Sequence, residues 1–489
     1  LEWGFIPITN MELIILLVIA YVVYWLHTKY HNKKPSESTL ADLKTKYTSI
    51  SNTRINVKRV DISDLTLSEE QKAIFDIIEN TNENAFITGK AGTGKSALLE
   101  YFRQKTTKKV VVCAPTGVAA LNVGGQTIHS LFKIPPAFVT TSKLKPDGKT
   151  TLLLKNIDAV VIDEISMVRV DLMDAVDHIL KTARGSNLPF GGVQIIMFGD
   201  LYQLPPVVED RELHKYFADN FGGFYFFNAN VWENTPLNIY ELTTIFRQKD
   251  EIFKLLLNEI RTGSVNDNTL NMLNKRANTA IPEDGVITLT TTNNTSREIN
   301  SYKLAKLKGN ASEYKARISG DLERSVYPTE ELLQLKKGAQ VMFLKNDKQK
   351  RWANGTVGFV ESLTEDEIRV KVDNIPYSVP QETWSKIKYF YNQGTRKVEE
   401  EVVSSFTQFP LKLAWAITIH KSQGQTYETV AVDMGSGAFA HGQTYVALSR
   451  CESLERLYLK REVLIRDIIV DPTIIEFMKT VKITKTDTG

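Results

Sequence analysis

"AFITGKAGTGKS", residues 85–96, runs from three apolar residues into Gly89, four further residues, and then Gly94, Lys95 and Ser96. The following "SALLEYF" continues as a helix, so the stretch reads strand, glycine-rich turn, helix. The turn Gly89, Lys90, Ala91, Gly92, Thr93, Gly94, Lys95 and Ser96 has the form of a phosphate loop. Its glycines let successive backbone N–H groups face a β-phosphate, Lys95 reaches the β/γ oxygens, and the Ser96 hydroxyl takes a magnesium position. The helix that starts there adds its positive end. A chance glycine-rich turn would have to reproduce the strand, the helix and all the fixed residues. The segment predicts ATP and magnesium.

Outward from this loop the chain keeps an α/β rhythm. "SEEQKAIFDIIEN" reads as a helix, and "KKVVVCAP", "IDAVVIDE" and "VQIIMFGD" read as buried strands with helical stretches between them. Such alternation implies a parallel sheet covered on both faces. After Arg247 the pattern restarts with "GVITLTTTN" and later "YETVAVDM". Between them, short strands punctuated by the hairpin signal Asn354-Gly355 read as a small β-barrel inserted into a second α/β core. The expected division is 1–61, a hydrophobic segment and polar linker; 62–246, a first core; 247–345 and 406–476, the two parts of a second core; 346–405, the inserted barrel; and 477–489, a tail.

The bulk composition narrows the function classes. The chain has 489 residues, 42% of them apolar, and a net charge of +3. That balance excludes a basic body, so any nucleic-acid site is a local groove. Cys113 and Cys451 stand far apart and outside any metal-ligand spacing, which fits a reducing compartment. The N-terminus is the exception. Leu13–Leu26 carries no charge, and 11–30 supplies about twenty residues, near the lower limit for spanning a bilayer. Tyr24 and Trp25 lie toward one end, with Lys29, Lys33 and Lys34 beyond. This reads as a membrane anchor holding the remainder on the cytoplasmic side; a buried helix or a misplaced start is the other reading.

Further candidates follow the loop. In "VVIDEISMV", Asp163 and Glu164 close a buried strand; Asp163 suits magnesium, and Glu164 suits the base that orients and deprotonates water. In "FGDLYQLPPV", Gln203 is placed to sense a γ-phosphate, and Pro205 and Pro206 fix a bend. Gln71 of "LSEEQ" has an amide suited to an adenine edge, although Ser68 with Gln71 three residues on is equally a helix capping box. Arg247 of "LTTIFRQ" and Arg450 of "YVALSRC" are candidates for stabilising transition-state charge, each being an ordinary ion-pair residue if taken alone. They fall in a second core without a phosphate loop, which puts the nucleotide at a seam. Thr116 and His129 in the first core, and His420, Lys421 and Ser422 in the second, are hydroxyls, rings and amines on loop tips, suited to single-strand phosphates and bases.

Gln71, "GKAGTGKS", "APTGVAA", "IDEISMV", "PFGGVQIIMFGDLYQLPPV", "FRQ", "LAWAITIHKSQGQT" and "YVALSR", in this order from about Leu65 to Leu459, resemble the motifs of the petite-integration-frequency family of superfamily-1 helicases. The resemblance implies two RecA-type cores, a wedge near 133–151, and an Src-homology-3-like barrel in the second core. It implies an ATP-driven 5′-to-3′ motor on single-stranded and forked DNA, with RNA–DNA hybrids and G-quadruplexes among its substrates. A monomer without an obligatory protein partner, associated with the nucleoid, is expected. The alternative is a motor subunit similar to the exonuclease V alpha chain. The hydrophobic N-terminus departs from the family pattern, as does the short stretch after the second core.

Overall fold

The computed structural model of this protein describes residues 65–484, apart from 139 and 209. The proposed anchor 11–30 and linker 31–61 lie outside the described residues. Within those residues, no helix is long and apolar enough to cross a membrane.

The first sheet contains β1 (Ala85–Gly89), β2 (Val110–Ala114), β3 (Gln126–Thr127), β4 (Ala159–Ile162), β5 (Gln194–Phe198) and β6 (Asn238–Leu242). Its order is β3-β2-β4-β5-β1-β6, and every pairing is parallel. Strands β1, β4 and β5 are buried at every position, as their unbroken apolar runs require of strands covered on both faces. On one face Ile74, Ile78, Leu98 and Phe102, from the helices Glu69–Asn80 and Lys95–Lys105, meet Ile87, Val161 and Phe198. Each such fully buried side chain contributes about 1.5–3 kcal/mol. The helix Val170–Arg184 buries Val176, Ile179 and Leu180 on the larger core of the other face.

A second parallel sheet holds Ala416–Thr418, Ile287–Thr290, Val430–Asp433 and Leu457–Leu459 in that spatial order. The chain is therefore α/β with two parallel-sheet cores. Between Ile287–Thr290 and Ala416–Thr418 the chain forms antiparallel structure. Five strands pair in the order Ile375–Val379, Ile368–Val372, Val357–Leu363, Gln340–Phe343 and Leu411–Leu413. Three more form an arm from Arg317–Ser319, Glu382–Asn392 and Lys397–Gln408.

Three expectations need correction. The antiparallel insertion is wider than 346–405, because Gln340–Phe343 pairs with both Val357–Phe359 and Leu411–Leu413. Both flanking strands fill the insertion's own core, through Phe343 and Leu411. Asn354-Gly355 does form a turn, with Thr356 N–H donating to Ala353 O, between the antiparallel strands Gln340–Phe343 and Val357–Leu363, but the two-residue hairpin connection is at Asp373-Asn374, where φ is 48° and 66° and Val372 pairs with Ile375. Asp and Asn tolerate this left-handed conformation better than most residues. The segment 477–489 is also not a free tail as far as it is described. The helix Pro472–Thr480 stacks Phe477 on Phe227 at 3.9 Å, and Thr484 N–H donates to Ile239 O of β6. The chain thus returns to the first core.

Candidate functional site

All six strands of the first sheet point the same way, so their carboxyl ends form one edge, the usual ligand edge of such sheets. Three neighbouring strands load it. The phosphate loop follows β1, Gly199-Asp200 follows β5, and Asp163-Glu164 follows β4. One strand therefore separates the loop from the Asp-Glu pair, and that strand delivers a third carboxylate.

The loop is shaped by close neighbours. Gly92 has φ of 85°, and a Cβ there would lie 2.4 Å from Arg247 Cβ; Gly94 has φ of 81°, and a Cβ there would lie 2.4 Å from Gln71 Nε2. Only glycine meets both the backbone conformation and the contact. Lys95 Nζ donates to the carbonyls of Gly89 at 2.6 Å and Lys90 at 3.0 Å. Burial pulls its amine down to about 8. The Gln71 side chain makes contacts through both atoms of its amide. Its Oε1 accepts from Ser68 N–H, completing the capping box, and its Nε2 donates to Gly94 O at 3.2 Å. The cap is formed, and the same amide props the phosphate loop.

Asp163 and Glu164 sit half-buried just after β4. Burial first, and then the adjacent Glu164, pushes the Asp163 carboxyl up to about 7. Burial also raises Glu164, against the pull of Lys95 and Arg450. Glu164 is left-handed at φ 50°, a conformation that costs an L-residue about 1–2 kcal/mol and clusters at functional sites. The donors available to magnesium are a hydroxyl, Ser96, and a carboxylate, Asp163. This all-oxygen set fits an ion that keeps waters and phosphate ligands rather than a protein cage.

Asp200, which sequence reasoning passed over, is the buried hub of the seam. It is 1% exposed and accepts from Arg261 Nη2 at 2.9 Å, from Tyr202 N–H and from Gln203 Nε2. Burial would raise its carboxyl, but Arg261 and Lys95 outweigh that and hold it below the usual range. Arg261 comes from the helix Glu251–Thr262 and lies over the Tyr202 ring at 4.1 Å. The segment after β5 also meets the second core directly: His441 Nε2 lies 2.8 Å from Leu201 O, and a Cβ on Gly442 would clash with Tyr202 O. Ala91 N–H of the phosphate loop donates to Tyr445 Oη of the second core at 2.9 Å. A sequence signal existed for Asp200, since it closes an apolar strand as Asp163 does. It existed also for Arg261, a charge on the apolar stripe of Phe253, Leu257 and Ile260. Tyr445 opens the motif "YVALSR", but within it only Arg450 was given a role.

Arg247 lies in the crossing segment after β6 rather than within the second core. Phe246 N–H donates to Gly92 O at 2.8 Å, and Arg247 Nη1 donates to Ser449 O at 3.1 Å. Burial first, and then Arg450, draws its guanidinium down to about 9. Gln248 ties the same segment to Ser449 O and Cys451 O. Arg450 is fully buried and donates to Val446 O, Ser422 O, Gln425 O and Ser449 Oγ. Here it braces the second core's loops, with Glu164 within electrostatic range.

The candidate nucleic-acid residues divide. Thr116 is exposed and caps the helix Gly117–Asn122, with the turn at Val326 against its first residue. His129 is half-buried, and His420 and Lys421 lie on the turn after Ala416–Thr418. Ser422 departs from expectation: it is wholly buried and its hydroxyl donates to Ile419 O at 2.7 Å, so it shapes the turn instead of facing solvent. The segment 133–151 lies partly on the first core, with Phe138 against Tyr216 and Phe217, and Leu144 O beside His178.

Residues 66–271 match the model of the PIF1-like helicase family. Over 86% of the chain and 93% of the relative, the sequence is 34% identical to the ATP-dependent DNA helicase Pif1 of Bdellovibrio bacteriovorus. The fold superposes on Bacteroides Pif1 in complex with ADP-AlF4 with a TM-score of 0.79, at 38% identity, covering 85% of this chain and 97% of that one. Against Bacteroides Pif1 bound to single-stranded DNA, at 39% identity and the same coverage, the TM-score is 0.62. Sequence and fold together place this chain in the family of PIF1-like helicases, which are ATP-dependent DNA helicases.

Proposed function

We propose that this chain hydrolyses ATP at the seam between its two parallel-sheet cores and uses the cycle to move 5′-to-3′ along single-stranded DNA, opening duplex ahead of it. The seam itself carries the reading. One core supplies the phosphate loop and three strand-end carboxylates, and the other touches that loop through Tyr445 and the Asp200 carboxylate through Arg261. A nucleotide bound there is felt by both cores.

In this reading Lys95 and the loop amides hold the β- and γ-phosphates, and Gln71 reads the adenine. Ser96 and Asp163 would hold magnesium, which supplies charge neutralisation on the phosphate oxygens. Glu164 takes the proton from the attacking water as its oxygen bonds to the γ-phosphorus, and ADP departs with the electrons of the broken bond. Gln203 reports the γ-phosphate, and Arg247 and Arg450 stabilise the charge that develops. Thr116, His129, His420 and Lys421 contact the single strand. The insertion is read as an Src-homology-3-like barrel and 133–151 as the wedge. Unliganded Bacteroides Pif1 superposes on this chain with a TM-score of 0.78, against 0.62 for the form bound to single-stranded DNA, which supports a rearrangement when DNA binds. Forked DNA, RNA–DNA hybrids and G-quadruplexes are the proposed substrates.

Polarity tests the motor. A duplex with a 5′ single-stranded tail is expected to be opened with ATP, and one with only a 3′ tail to stay closed. ATPase measured with and without oligo-dT checks the coupling; hydrolysis indifferent to DNA argues for a nucleotide switch instead. An isolated chain that hydrolyses ATP but unwinds neither substrate favours the partner-dependent subunit.

Residues 11–30 are proposed to tether the motor to the cytoplasmic face of a membrane, on their composition and their lysine-rich flank. The full chain is expected in the membrane fraction and a chain starting at Leu65 in the soluble one. Equal solubility of both without detergent refutes the tether.

A further inference from the structure

Phe439 is one of the most exposed aromatic rings among the described residues, at 64%. Singly exposed apolar residues are ordinary and need no explanation. Three observations set this one apart. Its ring lies nearly parallel to that of His420, at an interplanar angle of 18° with centroids 6.5 Å apart. Its loop is fastened on both sides: Phe439 N–H donates to Gln443 Oε1 at 3.0 Å, and Ala438 N–H donates to Asp467 Oδ1 at 3.3 Å. Asp467 is itself clamped by Arg461 at 2.7 Å. The pair also stands at the carboxyl ends of two strands of the second sheet, Ala416–Thr418 and Val430–Asp433, with exposed Lys421 next to His420.

We propose that Phe439, together with His420, forms a platform on which one base of the single strand stacks. The assignment rests on the reading that the His420–Ser422 turn faces DNA, and it adds a residue that carries no hydrogen-bonding group. The physical case is direct. Every nucleobase has a flat π-face, so a stacking contact grips the strand without choosing a sequence, as a moving motor requires. A ring fixed by its backbone loses little freedom when a base settles on it. Burial keeps the His420 imidazole below its ordinary pKa, so at neutral pH the second ring is uncharged. Lys421 supplies the adjacent charge for a phosphate. Because the platform belongs to the second core, a stacked base would travel with that core whenever the seam opens or closes.

The test compares full-length wild type, Phe439→Ala and Phe439→Trp by fluorescence anisotropy on two labelled strands of equal length, oligo-dT and a strand of abasic sites. Phe439→Ala is expected to weaken oligo-dT binding about tenfold, the order expected for one lost base stack. Its binding to the abasic strand should change less than about twofold, since the phosphates are the same and no base remains to stack. Phe439→Trp should restore the oligo-dT affinity. Equal losses on both strands would mean that Phe439 only holds the loop, and would overturn the platform. No loss on oligo-dT would also overturn it and turn the ring toward some other partner. Wild type that binds neither strand would overturn the DNA reading of this turn along with the platform.

Discussion

Glu164→Gln is expected to bind ATP as the wild type does and to lose nearly all DNA-stimulated turnover, by about 10²–10⁴-fold, the usual contribution of a positioned general base. The substitution keeps the shape and length of the side chain. Gln is no worse suited than Glu to the left-handed backbone at φ 50°. What disappears is the acceptor for the proton of the attacking water. Lys95→Ala should fail differently. It removes the amine that lies on the loop carbonyls at 2.6 and 3.0 Å and that a nucleotide's β- and γ-phosphates would draw away. Hydrolysis should vanish and nucleotide affinity should fall with it. Titration with a fluorescent ATP analogue, beside steady-state ATPase, separates the two. If both variants lose nucleotide binding equally, the roles assigned to them are wrong.

The second large effect concerns stability. Arg261→Ala should destabilise the folded chain by about 3–5 kcal/mol, because it strands a carboxylate in the seam. Asp200 and Arg261 have side-chain exposures of 0% and 5%, so the charge left behind has no water to turn to. Gln203 and Tyr202 N–H remain as donors to Asp200, but both are neutral. Removing both charges, as in Asp200→Asn with Arg261→Met, should recover most of the loss, since no buried charge is left unpaired. Urea unfolding of wild type, Asp200→Asn, Arg261→Met and the double variant measures the coupling. The sign of the pH dependence follows from the depressed Asp200 carboxyl: its contribution is present above about pH 4, the unfolded value, and fades as pH falls through the lower folded value. An Arg261→Ala variant within about 1 kcal/mol of wild type would show that the pair is solvated in solution. The double variant should still couple hydrolysis to unwinding poorly, because the charged link among the bonds described across the seam is gone.

Much of this was legible in the residues. The phosphate loop, its strand and its helix are a local signal: two glycines, a lysine and a serine at fixed spacing between an apolar run and an amphipathic one. The runs "VVVCA", "AVVI" and "QIIMF" foretold strands buried on both faces, and they are. Asp163 and Glu164 were singled out because a carboxylate closing an apolar strand stands out. The same rule applied to "IIMFGD" would have found Asp200, and a charge on the apolar stripe of its helix would have drawn attention to Arg261. Gln71 was legible as the end of a capping box because that motif spans only a few residues, whereas its hold on Gly94 O was not.

Other features could not be read this way. The insertion was cut too short because the strands that complete its sheet, Gln340–Phe343 and Leu411–Leu413, pair with each other across the whole insertion. The residues after 476 were taken for a tail because nothing near them marks β6 as their partner. Ser422 was offered to DNA because its hydroxyl is polar, whereas the tight turn aims that hydroxyl back at Ile419 O. The seam is the plainest case: Asp200 and Arg261 are 61 positions apart, and Ala91 and Tyr445 are 354 apart. Sequence alone determined what repeats or pairs within a few residues, where backbone geometry fixes which side chains are neighbours. Tertiary structure decided every contact between the cores, because only the packing of two separate sheets brings those residues within reach of one another.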